Sequence, residues 1–275
     1  MTDVRSGTEE LRSLFDRAKA ENRAVFLPYL TAGIPSPEES VELFVAMADA
    51  GADGFEVGIP YADPLMDGPL IMAAGHKALK SGITVDVAFE VAHEVIRRTG
   101  KPVLLMTYTN PVLRVGIEVF FRRVAQIGGS GVIIADLPVD EAAPFIEAAA
   151  ATRVGLVLFA APTTTDVRLR AVADANPAFI YAIAEIGVTG ERVDASVNTA
   201  ALASRIREVT DVPIVFGVGI STPRHAAQAA QVGDGVIVGT AIVRRVMEAA
   251  STEEAETHLR SAVEDLAKAM RRNGI

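Results

Sequence analysis

Phe55-Glu56-Val57-Gly58-Ile59-Pro60-Tyr61-Ala62-Asp63-Pro64-Leu65-Met66-Asp67-Gly68-Pro69 joins a short apolar run to a stiff loop carrying Pro60, Pro64 and Pro69. The run reads as a strand with a carboxylate near its end, and the loop returns a second carboxylate at Asp67. Glu56 is the odd residue, because a purely structural strand would carry another apolar side chain between Phe55 and Val57. A carboxyl group in such surroundings is expected to have a raised pKa, which suits it to give and take protons.

The same unit, an apolar run followed by a longer amphipathic segment, recurs along the chain. The runs are 24–30, 54–57, 102–107, 131–135, 155–159, 179–184, 213–217 and 235–238. Helical patterns occupy 37–50, 85–98, 117–127, 140–151 and 222–231 between them. Continuous rather than alternating apolar runs indicate strands buried on both faces, as in parallel sheets. Eight such units without a linker predict an α/β fold, a single (β/α)8 TIM barrel spanning residues 1–275. A doubly wound sheet is the competing architecture. Leu11, Leu14, Phe15 and Ala18 form one face of an extra N-terminal helix ahead of the first strand.

Bulk properties narrow the chemistry. The 275 residues contain no cysteine, which excludes disulfides and thiolate catalysis and points to a reducing compartment. A net charge of −9 argues against nucleic acid or an anionic membrane as partner. The four histidines lie far apart without metal-ligand spacing, so no metal site is expected. No run approaches the roughly 20 apolar residues of a membrane span, and the N-terminus lacks a signal-like core. A cytoplasmic protein is expected.

In a barrel of this kind the chemistry gathers where strands end. Unusual residues fall there: Glu56, Tyr108 and Asn110, Asp136, Pro162 and Thr163, then three glycine-bearing segments at 186–190, 216–221 and 238–241. Glycines let backbone N–H groups approach an anion, and a helix starting near Ala241 would aim its N-terminus at the same place. A phosphate site, for which no lysine or arginine is needed, is therefore expected, with ordinary tight βα turns as the alternative. Tyr108 and Asn110 read as loop architecture rather than chemistry.

Glu56 with Pro60-Tyr61-Ala62-Asp63-Pro64 and Asp67-Gly68-Pro69 carries a resemblance to a known family. So do Met106-Thr107-Tyr108-Thr109-Asn110-Pro111, Ala135-Asp136-Leu137-Pro138, Gly187-Val188-Thr189-Gly190 and Gly217-Val218-Gly219-Ile220-Ser221. In order and spacing these segments resemble the tryptophan synthase α subunits. The resemblance implies retro-aldol cleavage of indole-3-glycerol phosphate to indole and glyceraldehyde 3-phosphate. It implies Glu56 as proton shuttle and ionised Asp67 as partner of the indole N–H. Tyr29, Met106 and Val218 would wall the indole site, and Tyr181 would orient Glu56. Gly190, Gly219, Gly239 and Thr240 would hold the phosphate, with Thr189 on a lid.

No cofactor is implied for this chain. Pyridoxal phosphate would belong to a partner β subunit that receives indole, in an α2β2 assembly with Asp63 at the interface. The chain departs from the family at Glu185, where a serine or basic residue is common, and at Val218, where an aromatic ring is common. A free-standing lyase that releases indole and a non-catalytic, ligand-binding allosteric subunit remain the alternatives. A Schiff-base aldolase would need a lysine at a strand end, and none of the eight runs contains one.

Overall fold

A computed structural model describes residues 6–183 and 195–272. Eight parallel strands close into a barrel in sequence order. They are β1 (Val25–Thr31), β2 (Phe55–Gly58), β3 (Val103–Thr107), β4 (Gly131–Ile134), β5 (Gly155–Ala160), β6 (Ile180–Ala182), β7 (Ile214–Phe216) and β8 (Gly235–Val238). Strand β8 pairs back onto β1 through Val25↔Gly235 to Pro28↔Val238. Every expected run overlaps its strand, and the bounds differ by no more than two residues; β1, β2 and β5 each extend one residue past the run, to Thr31, Gly58 and Ala160.

The helices follow the same logic. Ser36, Thr84, Thr165, Thr222 and Ser251 each accept a backbone N–H from the first turn of the helix that follows, satisfying a donor with no intrahelical partner. Pro37 and Pro223 occupy the first helical position, where the missing N–H costs nothing. The expected helix over 140–151 is instead a 3-10 turn at Val139–Glu141 followed by a helix at Ala143–Thr152. Pro144 explains the break: it is accommodated only in a first turn, so the helix restarts there.

Alternation along β2 accounts for Glu56. Phe55 packs edge-on against Phe44 of the helix Pro37–Asp49, with ring centroids 5.2 Å apart, so it points out of the barrel. Its neighbour Glu56 must then point inward. The register places Glu56 beside Tyr29 on β1 and Leu104 on β3.

The opposite end of the barrel is floored by the N-terminal helix Gly7–Ala20. Ser6 and Glu9 close a reciprocal capping box at its start. The helix buries the expected Leu11, Leu14, Phe15 and Ala18. Leu11 sits where strands β4 and β5 begin, and a Cβ on Gly155 or Gly131 would come within 2.9 Å or 3.3 Å of its Cδ1. Phe15 meets Phe179 edge-on at 5.9 Å. Leu11→Ala leaves a cavity under the barrel that these rigid strand starts cannot close. It is expected to lower unfolding free energy by about 2–5 kcal/mol without changing the mouth. Urea titration together with a substrate KM measurement checks both halves of that statement.

Candidate active site

At the mouth, the C-terminal ends of the strands surround a cavity of about 320 Å³. That is within the range of small-molecule sites. Glu56, Asp67, Tyr29 and Tyr181 supply its side-chain polarity, and Met106, Ile133, Phe159 and Ile237 supply apolar wall. Gly217, Val218, Gly219, Gly239 and Thr240 lie along the same lining. Among the described residues the lining includes no lysine or arginine.

Glu56 is buried, with 3% of its surface exposed, and its Oε2 has no hydrogen-bond partner. Loss of hydration is the main reason its pKa rises to about 8; the Asp67 charge adds to the effect. Asp67 is half-buried on the loop between β2 and the helix Pro69–Lys80. Desolvation lifts its pKa to about 6, and the Tyr108 hydroxyl opposes the rise. At neutral pH the pair is thus one protonated acid beside one ionised carboxylate, as the apolar setting of Glu56 predicts.

Tyr29 is buried, and its hydroxyl shares a 3.1 Å hydrogen bond with Thr31 two residues along the same strand. Burial, with the nearby Asp67 charge second, pushes its phenol above the usual range. Tyr181 packs its ring on Phe159 at 4.9 Å and feels the charges of Glu56 and Asp67. It stands beside Glu56, yet Oε2 receives no hydrogen bond from it. The expected direct orientation of Glu56 by Tyr181 is to that extent not seen.

Gly217 takes a different role from the one its motif suggests. A Cβ there would overlap the Tyr181 hydroxyl and ring edge, so the residue makes room for a phenol rather than for an anion. Gly217→Ala is expected to displace Tyr181 and lower kcat/KM roughly tenfold, with a stability loss of about 1–3 kcal/mol from overpacking. Steady-state kinetics and thermal melting of the one variant test both effects.

The end of the cavity where the sequence leads one to expect an anion is lined by backbone and glycine. Gly219 adopts φ +77°, a conformation open mainly to glycine. Gly239 precedes the helix Thr240–Glu248 without any side-chain cap, so first-turn N–H groups are left without intrahelical partners next to the cavity. Val218 is partly exposed at the rim. Thr189 and Gly190, with Glu185, lie outside the described residues.

Other residues singled out at strand ends prove architectural. Asp136 Oδ1 accepts from the Thr109 backbone N–H at 2.7 Å and from its hydroxyl at 2.9 Å, capping the helix Thr109–Val115. Asn110 Nδ2 donates to the Tyr61 hydroxyl at 2.9 Å. His76 Nε2 donates to the Ala62 carbonyl at 3.1 Å, tying down the loop that carries Asp67. The apolar wall residues Ile71, Phe159 and Ile237 were not legible as site residues, since nothing separates them from core except their place at a strand or helix end.

Residues 15–271 match the family model described as "Tryptophan synthase alpha chain". The chain belongs to the tryptophan synthase alpha chain family. A tryptophan synthase alpha chain from Salinispora tropica is 41% identical over 257 residues, covering 94% of this chain and 96% of that relative. The Streptomyces coelicolor tryptophan synthase alpha chain is 39% identical, covering 92% and 94%. A structure of Mycobacterium tuberculosis tryptophan synthase superimposes with a TM-score of 0.86 at 38% identity, covering 96% of this chain and 98% of its counterpart.

A tryptophan synthase alpha chain is a lyase of tryptophan biosynthesis that cleaves indole-3-glycerol phosphate, and that is the reaction of this chain. The family works with a β subunit and needs no cofactor of its own. Among the described residues no helix is long and apolar enough to cross a membrane.

Proposed function

We propose that Glu56 and Asp67 perform the retro-aldol cleavage as a divided pair. The observation that carries this reading is a buried carboxylic acid and an ionisable second carboxylate lining one cavity, with pKa values near 8 and 6. Glu56, protonated at neutral pH, donates its proton to C3 of the indole ring, which becomes an indolenine-like cation. Asp67, ionised, accepts the indole N–H and stabilises the positive charge growing there. Glu56, now a base, removes the proton of the C3′ hydroxyl. The C=O bond of glyceraldehyde 3-phosphate forms, the bond to C3 breaks, and its electrons restore the aromatic indole. The net change moves one proton from hydroxyl to carbon and returns Glu56 to its acid form.

Tyr29, Met106 and Val218 wall the indole, and Tyr181 confines the glycerol chain beside Glu56. Gly219, Gly239 and Thr240 receive the phosphate on backbone donors, with Gly190 completing the grip and Thr189 on the lid. The partner is a β subunit in an α2β2 assembly that holds pyridoxal phosphate and receives the indole. Exposed Asp63 lies at that interface, next to Leu65 and Met66, which are 78% and 56% exposed. A cytoplasmic setting and one domain over residues 1–275 complete the reading.

Indole release from indole-3-glycerol phosphate by the purified chain, with and without a cognate β subunit, tests it. Slow turnover that β raises by orders of magnitude supports the coupled subunit. Fast turnover alone supports a free-standing lyase, and none in either state leaves a ligand-binding barrel.

A further inference from the structure

Tyr108 is the residue whose surroundings exceed a loop-forming role. It is buried, with 2% of its surface exposed, immediately before the helix Thr109–Val115. Its hydroxyl accepts the Met66 backbone N–H at 3.2 Å, so it holds the loop one residue before Asp67. Its ring stacks on Tyr61 from the same loop, centroids 5.3 Å apart and tilted by 32°. Asn110 then fixes the Tyr61 hydroxyl from the far side. Two phenols thus clamp the β2 loop to the end of β3.

A phenol has one hydrogen to give and lone pairs with which to accept. With the Met66 amide bonded to the Tyr108 oxygen, the hydrogen is left for another acceptor, and the Asp67 carboxylate lies beside it. We propose that Tyr108 is a positioning residue for Asp67: anchored by Met66 and stacked on Tyr61, it directs its hydroxyl hydrogen to the Asp67 carboxylate. It thereby keeps that carboxylate ionised and turned toward the cavity. The inference rests on the proposed role of Asp67.

The groups around Asp67 sharpen the expectation. Glu56 from β2, Tyr29 from β1 and Tyr181 from β6 all feel its charge, and each is either neutral or anionic. Among the described residues the cavity lining offers no cation to help. Among the described residues the Tyr108 hydroxyl is the side-chain group that lowers the Asp67 pKa against the effect of burial. Removing a hydrogen bond to a charged group typically shifts such an equilibrium by about one pKa unit or more.

The test is kcat and kcat/KM against pH for the α–β complex carrying wild-type chain, Tyr108→Phe or Asp67→Asn. Tyr108→Phe keeps the ring and its stacking. Its acid limb is expected to move about one unit toward higher pH. Activity at pH 5.5 then falls about tenfold, while at pH 7.5 it falls less than twofold, and the loss is in kcat rather than KM. An equal loss at every pH, or an unmoved acid limb, overturns the proposal while Asp67→Asn stays strongly impaired. Wild-type activity in Asp67→Asn overturns the role of Asp67 itself. Should the phenylalanine variant not fold, 3-fluorotyrosine installed at position 108 provides a stronger donor of nearly the same shape. The acid limb must then move to lower pH, and a limb that stays in place overturns the proposal.

Discussion

Glu56→Gln is expected to reduce indole formation by about 10³-fold, the usual size of a lost general acid–base contribution. Glutamine keeps the shape of the side chain but can neither deliver a proton to carbon nor accept one from the C3′ hydroxyl, so both halves of the proton transfer stop. KM is expected to change little, because the wall and the backbone donors for phosphate remain. The same substitution has an opposite effect on stability. Glu56 is raised from 4.5 to about 8 on folding, so below pH 4.5 it is protonated in both states and costs nothing. Between those values only the unfolded chain releases the proton, and wild-type stability declines as pH rises; above about 8 the decline is complete. The glutamine variant lacks this decline. At pH 9 it should be the more stable protein by on the order of 4 kcal/mol, with little benefit near pH 4.5. Asp67, raised in the same direction, leaves a smaller residual slope in both proteins. Urea unfolding at pH 4.5, 7 and 9 reads this directly, and a variant that is active or that shows no alkaline gain contradicts the assignment.

Asp67→Asn is expected to lower kcat by about 10²–10³-fold, comparable with the loss of a preorganised group facing transition-state charge. The amide oxygen can still accept a hydrogen bond from the indole N–H, but it brings no negative charge to the ring as C3 is protonated. A second signature separates this loss from general damage. The charge of Asp67 is one of the two causes that raise Glu56, so its removal must lower the Glu56 pKa. The alkaline limb of the residual activity should therefore move to lower pH. A carboxyl ¹³C titration of Glu56 in the variant measures the same shift without turnover. An unmoved Glu56 would mean that the two carboxylates do not communicate.

The barrel is legible in the sequence because parallel strands buried on both faces leave continuous apolar runs, and a helix must intervene before each next strand. Glu56 is legible for the same reason: it breaks such a run with a carboxylate buried at the mouth. Strand ends are less so, since Ile183 and Gly217 are as apolar as the strand residues before them. Gly217 shows the deeper difficulty. Its missing Cβ serves Tyr181 on the adjacent strand, a neighbour set by register rather than by sequence. Tyr108 is hidden similarly, because its hydrogen bond to Met66 depends on how a proline-bearing loop folds back 42 residues away. Wall residues such as Phe159 carry no mark that distinguishes mouth from core.

Backbone donors, as proposed for the phosphate, have a consequence for proton chemistry. A lysine or arginine placed at the mouth to bind phosphate would send its field down the same narrow cavity. With little water to screen it, that field would favour charge on Glu56 and draw its pKa back toward that of an ordinary glutamate. Backbone dipoles are short-ranged by comparison and act within the first turn of the helix that presents them. A phosphate held there by dipoles alone would keep its own negative charge, and its field would reinforce the protonated form of Glu56 instead of opposing it.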